Sequence, residues 1–218
     1  MKLLILVLIL SFQINAQAKC DYKTSNGVVS KFVNYQGAST EITIKNEIEP
    51  LAFIYKNKDG CFGKYVTLDL DFSEVKNVFD QLNRKIGNLK NRGEAHITLL
   101  TPPEYQHFFG NYGISMATIE QVIKESFSAQ NIRYEITGLG SGHIEELSTY
   151  FLIVESQDLK ALRERLAELL PSKVRTEFLE TGFYPHITLG FNKRDLHISQ
   201  GIRKDLEFSN DRRFLLRY

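Results

Sequence analysis

The stretches EAHITLLTPP (residues 94–103) and YPHITLGFNK (residues 184–193) share the string His-Ile-Thr-Leu, beginning at His96 and again at His186, in a chain with only five histidines. Isoleucine and threonine favour strands. In a strand, residues i and i+2 point to the same face. His96 and Thr98 therefore emerge together, as do His186 and Thr188, while Ile97, Leu99, Ile187 and Leu189 turn the other way into a core. Each string sets an imidazole and a hydroxyl side by side.

The surroundings of the two strings also repeat. Ahead of the first, residues 65–71 (YVTLDLD) alternate as a half-buried strand does, and Ser73 is expected to cap a helix. That helix carries Val75, Val78, Phe79, Leu82, Ile86 and Leu89 on one face. A turn at Arg92 and Gly93 leads to His96. Ahead of the second, residues 150–154 (YFLIV) read as a buried strand, Ser156 as a cap, and Leu159, Leu162, Leu166 and Leu169 as the stripe of a helix ending near Pro171. Between them, residues 118–127 predict another amphipathic helix and residues 133–137 a strand. Strand, helix and histidine strand occurring twice predict an α+β fold of two related lobes facing each other across a cleft. Residues 19–60 have no counterpart and are expected to form an extension, with a hairpin from 28–35 and 41–45. The repeated unit belongs to residues 61–218.

Two imidazoles and two hydroxyls suit proton transfer beside a phosphate. Histidine titrates near neutrality, so one ring can act as a base while its partner acts as an acid. Threonine hydroxyls can donate to phosphoryl oxygens where negative charge accumulates. Neither string has carboxylate or cysteine at liganding spacing, so no metal or other cofactor is expected. A single such string is weak evidence, because a lone histidine on a strand is usually structural or solvent-facing. Two at matching places in a repeated unit reverse that judgement. His107, His143 and His197 have no matching partner and read as structural or surface residues. Tyr184 and Tyr105 flank the strings and are candidates for stacking on a base, with core packing as the competing role.

The remaining sequence sets the context. With 43% hydrophobic and 24% charged residues over 218 positions, the chain can bury a full core. Met1 and Lys2, the apolar run at 3–12 and the Ala16-Gln17-Ala18 exit resemble a secretory signal peptide, too short to span a bilayer, with cleavage expected after Ala18. A secreted or periplasmic protein without a membrane span follows from that reading. Lys19 stands where a lipid-modified Cys20 would want a small residue. Removing residues 1–18 takes away Lys2 and no acid, leaving 26 basic against 26 acidic residues. A protein gripping long RNA or DNA usually has a basic surplus, so a small phosphate-bearing ligand or one strand end fits better, and a monomer suffices to hold it.

His96-Ile-Thr98 and His186-Ile-Thr188 resemble the paired His-x-Thr motifs of the two-histidine (2H) phosphoesterase superfamily, which includes RNA ligase-like cyclic phosphodiesterases. TPPE at 101–104 and FNKRDLH at 191–197 are similar to the Swiss Army Knife RNA repair-like subgroup. The resemblance covers residues 62–203. It implies a bilobal fold with pseudo-twofold symmetry, His96 and His186 as acid and base, and Thr98 and Thr188 as phosphate holders. The implied reaction is metal-independent opening of a 2′,3′-cyclic phosphate on a nucleotide or RNA end. Two rivals stand beside it: a phosphoesterase or ribonuclease acting on another phosphodiester, and a non-catalytic phosphate-binding or nucleotide-binding protein.

The only cysteines, Cys20 and Cys61, both follow the expected cleavage site, and an oxidising compartment would join them. Closing that loop should add about 3–4 kcal/mol of stability. Mass spectrometry of the exported protein should find both thiols oxidised to one bridge, and two free thiols would contradict it.

Overall fold

The computed structural model describes residues 37–45, 48–60 and 62–218. The expected leader, the expected strand at 28–35, and Cys20 and Cys61 with the bridge expected between them lie outside the described residues. No helix among the described residues is long and apolar enough to cross a membrane.

The first repeated unit begins with β3, which follows β1 (Thr40–Thr43) and β2 (Pro50–Asn57). β3 (Lys64–Leu70) leads into α1 (Phe72–Ile86), which buries Val75, Val78, Phe79 and Leu82. Its cap is Asp71, whose carboxylate accepts from the Ser73 amide at 2.9 Å, so Ser73 stands in the first turn and not at the cap. An aspartate immediately before the first helical residue both caps it and complements the helix dipole. Leu89 is buried beyond the helix end. β4 (His96–Leu100) follows.

Thr101 then caps α2 (Pro102–Glu104) by a reciprocal bond with the Glu104 carboxylate. A π-helical turn (Tyr105–Phe109) and α3 (Met116–Ser126) come next, α3 being capped by Ser115. β5 (Glu135–Ile144) and β6 (Leu147–Glu155) form a long hairpin. α4 (Gln157–Ala167) is capped by Ser156 as expected. Pro171 separates it from α5 (Ser172–Glu180), a helix the periodicity did not resolve. β7 (His186–Phe191), α6 (Leu206–Ser209) and β8 (Phe214–Arg217) complete the chain.

Six strands form one antiparallel sheet in the order β2-β3-β4-β7-β6-β5, and β1 pairs in parallel with β8. Two expectations change here. Residues 50–57, assigned to an extension, supply the edge strand β2 beside β3, and residues 41–43 pair with the C-terminal strand. The two repeated units meet edge to edge, β4 against β7, within one continuous sheet. One face of that sheet is apolar: Leu68, Ile97, Leu99, Ile187 and Leu189 join the core with Val78, Ile119, Leu159 and Phe178 from the helices. Arg163 of α4, 3% exposed, braces β4 from this side, donating to the Leu99 carbonyl and to Glu104, each at 2.8 Å.

The opposite face owes its shape to a row of glycines in β5. Residues 138–142 (GLGSG) discourage a strand reading, and the predicted strand stopped at 137. They extend it because other groups lie where their side chains would be. A Cβ at Gly140 would sit 2.3 Å from Cε2 of Phe151, one at Gly142 2.6 Å from Cγ2 of Ile202, and one at Gly138 3.0 Å from Cδ2 of Leu206. The segment after β7 therefore folds flat onto this face, where Leu196 and Ile202 bury themselves with Phe151 and Ile153. Gly201, at φ 88°, makes the left-handed turn that sends the chain back. Gly140→Ala should lose about 1–3 kcal/mol through overpacking, read as a lowered denaturant midpoint. An unchanged midpoint would contradict this account of the glycine row.

Candidate active site

Antiparallel pairing through Ile97↔Ile187 places the two motifs on adjacent central strands. His96 thus stands beside Thr188, and Thr98 beside His186, all four on the face away from the helices. The ladder continues into β3, where Asp69 pairs with His96 and Thr67 with Thr98. It continues into β6 with Phe151, whose ring centroid lies 5.8 Å from that of His186.

His186 has a fixed tautomer. Its Nδ1 lies 2.8 Å from the Tyr184 carbonyl, and a carbonyl can only accept, so Nδ1 carries the proton. Nε2 then presents its lone pair, which receives the Lys204 ammonium at 3.0 Å. Burial, followed by the Lys204 charge, pushes the imidazole well below the ordinary histidine range, against the opposing pull of the Tyr184 carbonyl and Asp195. His186 is held neutral.

His96 differs. Its Nδ1 faces the Glu94 carboxylate at 3.6 Å. Burial lowers its pKa, and Glu94 works in the other direction. A proton on His96 therefore has a carboxylate to stabilise it, while a proton on His186 would meet an ammonium.

Behind both motifs lies Asp195, 7% exposed. Its Oδ1 accepts from the Thr149 hydroxyl at 2.7 Å, the Leu196 amide at 2.9 Å and Lys204 at 3.3 Å. Its Oδ2 accepts from Arg92 at 3.1 Å and, at 3.4 Å, from Thr188. Burial alone would raise this carboxyl, but Lys204 and the Thr149 hydroxyl outweigh burial and hold it well below the carboxylate range. The Thr188 hydroxyl is thus shared between the motif face and Asp195.

A pocket of about 120 Å³ opens at the His186 end, lined by Thr98, Glu104, Tyr184, His186, His197 and Lys204 among others. Drug-sized ligands need several hundred Å³, so this space suits a phosphoryl group whose remaining substituents stay outside. Tyr184 stands at its wall, with the Arg203 guanidinium 5.1 Å from its ring centroid. Tyr105 does not reach it: the ring is 4% exposed and its hydroxyl donates to the Ile114 carbonyl at 3.1 Å, so it belongs to the core. His107 pairs with Glu177 at 3.3 Å, and His143 lies 3.2 Å from the Ser141 hydroxyl in β5. His197, read from sequence as structural or surface, lines the pocket.

Lys204, Asp195 and Arg92 were not singled out by sequence reasoning. They are ordinary charged residues in loops, and only the register of β7 and the fold-back over the glycine row bring them to the motif face. Among the described residues, no group of three or more histidine, cysteine, aspartate or glutamate side chains is placed to hold a metal ion.

No curated protein and no solved structure matches the chain. Residues 64–197, more than half of the chain, match the family described as Swiss Army Knife, 2H phosphoesterase domain. That span contains both His-x-Thr pairs together with Arg92 and Asp195, and the chain therefore belongs to the Swiss Army Knife group of the 2H phosphoesterases.

Proposed function

We propose that the protein hydrolyses a 2′,3′-cyclic phosphodiester on a nucleotide or RNA end, without a metal, using His96 and His186 as its proton-transfer pair. The observation that carries this reading is the difference between the two imidazoles on one face: His186 neutral with its Nε2 lone pair presented, His96 backed by Glu94. Their strands are read as related by a pseudo-twofold axis through the Ile97↔Ile187 pair.

The electrostatics suit an anionic diester. Around Asp195 the two cations Lys204 and Arg92 outnumber the one carboxylate, which makes the His186 end locally positive, while Glu94 and Asp69 stand at the His96 end. In the proposed reaction, water attacks phosphorus as His186 Nε2 takes its proton, forming the new P–O bond. The bond to one ribose oxygen breaks, and His96 gives that oxygen a proton. The Thr98 and Thr188 hydroxyls donate to the non-bridging oxygens as charge builds on them. The pocket admits the phosphate, and the nucleoside lies at the rim against Tyr184, where stacking tolerates any base. The leader-like N-terminus favours nucleotide salvage outside the cytoplasm over intracellular RNA repair.

Purified protein should convert 2′,3′-cyclic nucleotides to monophosphates, followed by phosphorus NMR, and should do so equally in excess chelator. His96→Ala and His186→Ala should each lower kcat by about 10²–10⁴-fold. The double variant should fall short of the product of the two, since the groups act as one unit. A folded variant lacking either imidazole yet turning over normally would contradict the assignment, as would loss of activity in chelator with rescue by one divalent ion.

The pH dependence has a sign. His186 must be neutral, so kcat/KM falls as pH drops through its depressed pKa. His96 must be protonated, so kcat/KM falls as pH rises through its own pKa, which burial also lowers. The profile should be a bell with its optimum below about pH 6.5, the ordinary histidine value. An optimum above about pH 8 would place other groups in these roles.

A further inference from the structure

Lys204 is 3% exposed, and lysines are almost never buried so far without a paired charge. Asp195 provides the pairing, but its other hydrogen bonds do not depend on Lys204. With Arg92, the Thr149 hydroxyl and the Leu196 amide all within 3.1 Å, that carboxylate would be satisfied if Lys204 were absent. The dependence runs the other way: Asp195 keeps an ammonium charged in a place where burial would otherwise strip its proton, a tendency visible in its lowered pKa. What that ammonium faces is an imidazole lone pair and the pocket shared with Thr98.

A buried cation hydrogen-bonded to a basic nitrogen is a sound arrangement at rest but a poor one for a base about to act. It disfavours protonation of His186 and blocks the atom that would have to accept a proton. Among the described residues, the ammonium has hydrogen-bond partners in Asp195 Oδ1 at 3.3 Å and His186 Nε2 at 3.0 Å, and the Phe151 ring centroid lies 5.1 Å from Nζ. The arrangement makes sense if an anion completes it.

We propose that Lys204 is a further active-site residue outside both His-x-Thr pairs, whose ammonium rests on Nε2 of His186 in the free protein and turns to a phosphoryl oxygen of the bound substrate, freeing the imidazole to take the water proton. The proposal rests on the phosphodiesterase reading. Lysine suits the task, as its charge sits on a flexible stem with rotatable donors. Phosphate binding and base activation are then one event: an empty site keeps its base covered. The groups acting on His186 are Lys204, Asp195 and His197 from the segment after β7 and the Tyr184 carbonyl before it, while on the β4 side Glu94, Arg92, Asp69 and Asp195 act on His96. Lys204 is the one of these that contacts Nε2.

The test compares Lys204→Met, which keeps the side-chain length, with Lys204→Arg, which keeps the charge. Probes are the nucleoside 2′- and 3′-monophosphates, the two possible products, together with nitrogen-15 NMR titration of His186. Lys204→Met should weaken monophosphate binding by about 10- to 100-fold, as for a lost hydrogen bond to a charged group. It should move the His186 titration to higher pH, and lower kcat/KM by about 10²-fold. Lys204→Arg should recover most of the binding. A folded Lys204→Met protein with wild-type monophosphate affinity and an unmoved His186 titration overturns the proposal. Should the methionine variant not fold, the same two measurements on Lys204→Gln decide it. Should the wild-type protein turn over no phosphodiester, the functional reading fails, while the binding and titration arms still decide whether Lys204 meets the phosphate.

Discussion

The pairing of β4 with β7 in one register is the constraint on which the site depends. Strand side chains alternate, so a slip of one residue in either strand would send its histidine and threonine into the helix-covered core and bring Ile97 or Ile187 out to solvent. Both isoleucines are fully buried in the same apolar cluster as the helices, which makes the slipped alternatives expensive. Two cross-strand neighbours can then do what neither motif does alone. His96 meets Thr188, Thr98 meets His186, and four polar groups share a patch a few residues wide. The helices contribute no reacting group; they hold the register.

The second requirement is that the two imidazoles differ. Identical motifs in related units would give two equivalent histidines, whereas acid–base work needs one of each kind. The difference comes from outside the motifs. Glu94 stands two residues before His96 on its own approach, while the segment after β7 carries Asp195 and Lys204 over His186. Asp195 is the hub of that segment: it reaches Thr188 on β7, Thr149 on β6, Arg92 before β4, and Lys204. The glycine row in β5 belongs to the same design, since bulkier residues at 138 and 142 would meet Leu206 and Ile202 and lift the segment that brings Lys204 to its place.

Much of this was legible in the sequence, and the limits have physical causes. The His-Ile-Thr repeat, the strands before each helix and the Ser156 cap could be read from period and capping chemistry, because those are local properties. The partner of each strand was not local. Nothing in residues 50–57 announces β3 as its neighbour, and nothing in 41–43 announces the C-terminal strand. Side-by-side packing of the histidine strands needed the tertiary register, so facing lobes were the natural expectation. β5 was cut short because its glycines are chosen for what lies against them, not for strand preference. Tyr105 looked available from its place beside a motif, but the π-helical turn takes it into the core. Lys204 carried no signal, and Asp195 only as one letter of the 191–197 stretch, since a charged loop residue becomes a site residue only through folding.

The central claim is that both motifs act on a single phosphate. A crystal structure with a nucleoside monophosphate bound tests it most directly. The account predicts the phosphorus between the two central strands, with oxygens within hydrogen-bond reach of both His96 and His186 and of at least one motif threonine. A phosphate held elsewhere on the protein, or by one imidazole with the other turned away, would contradict it.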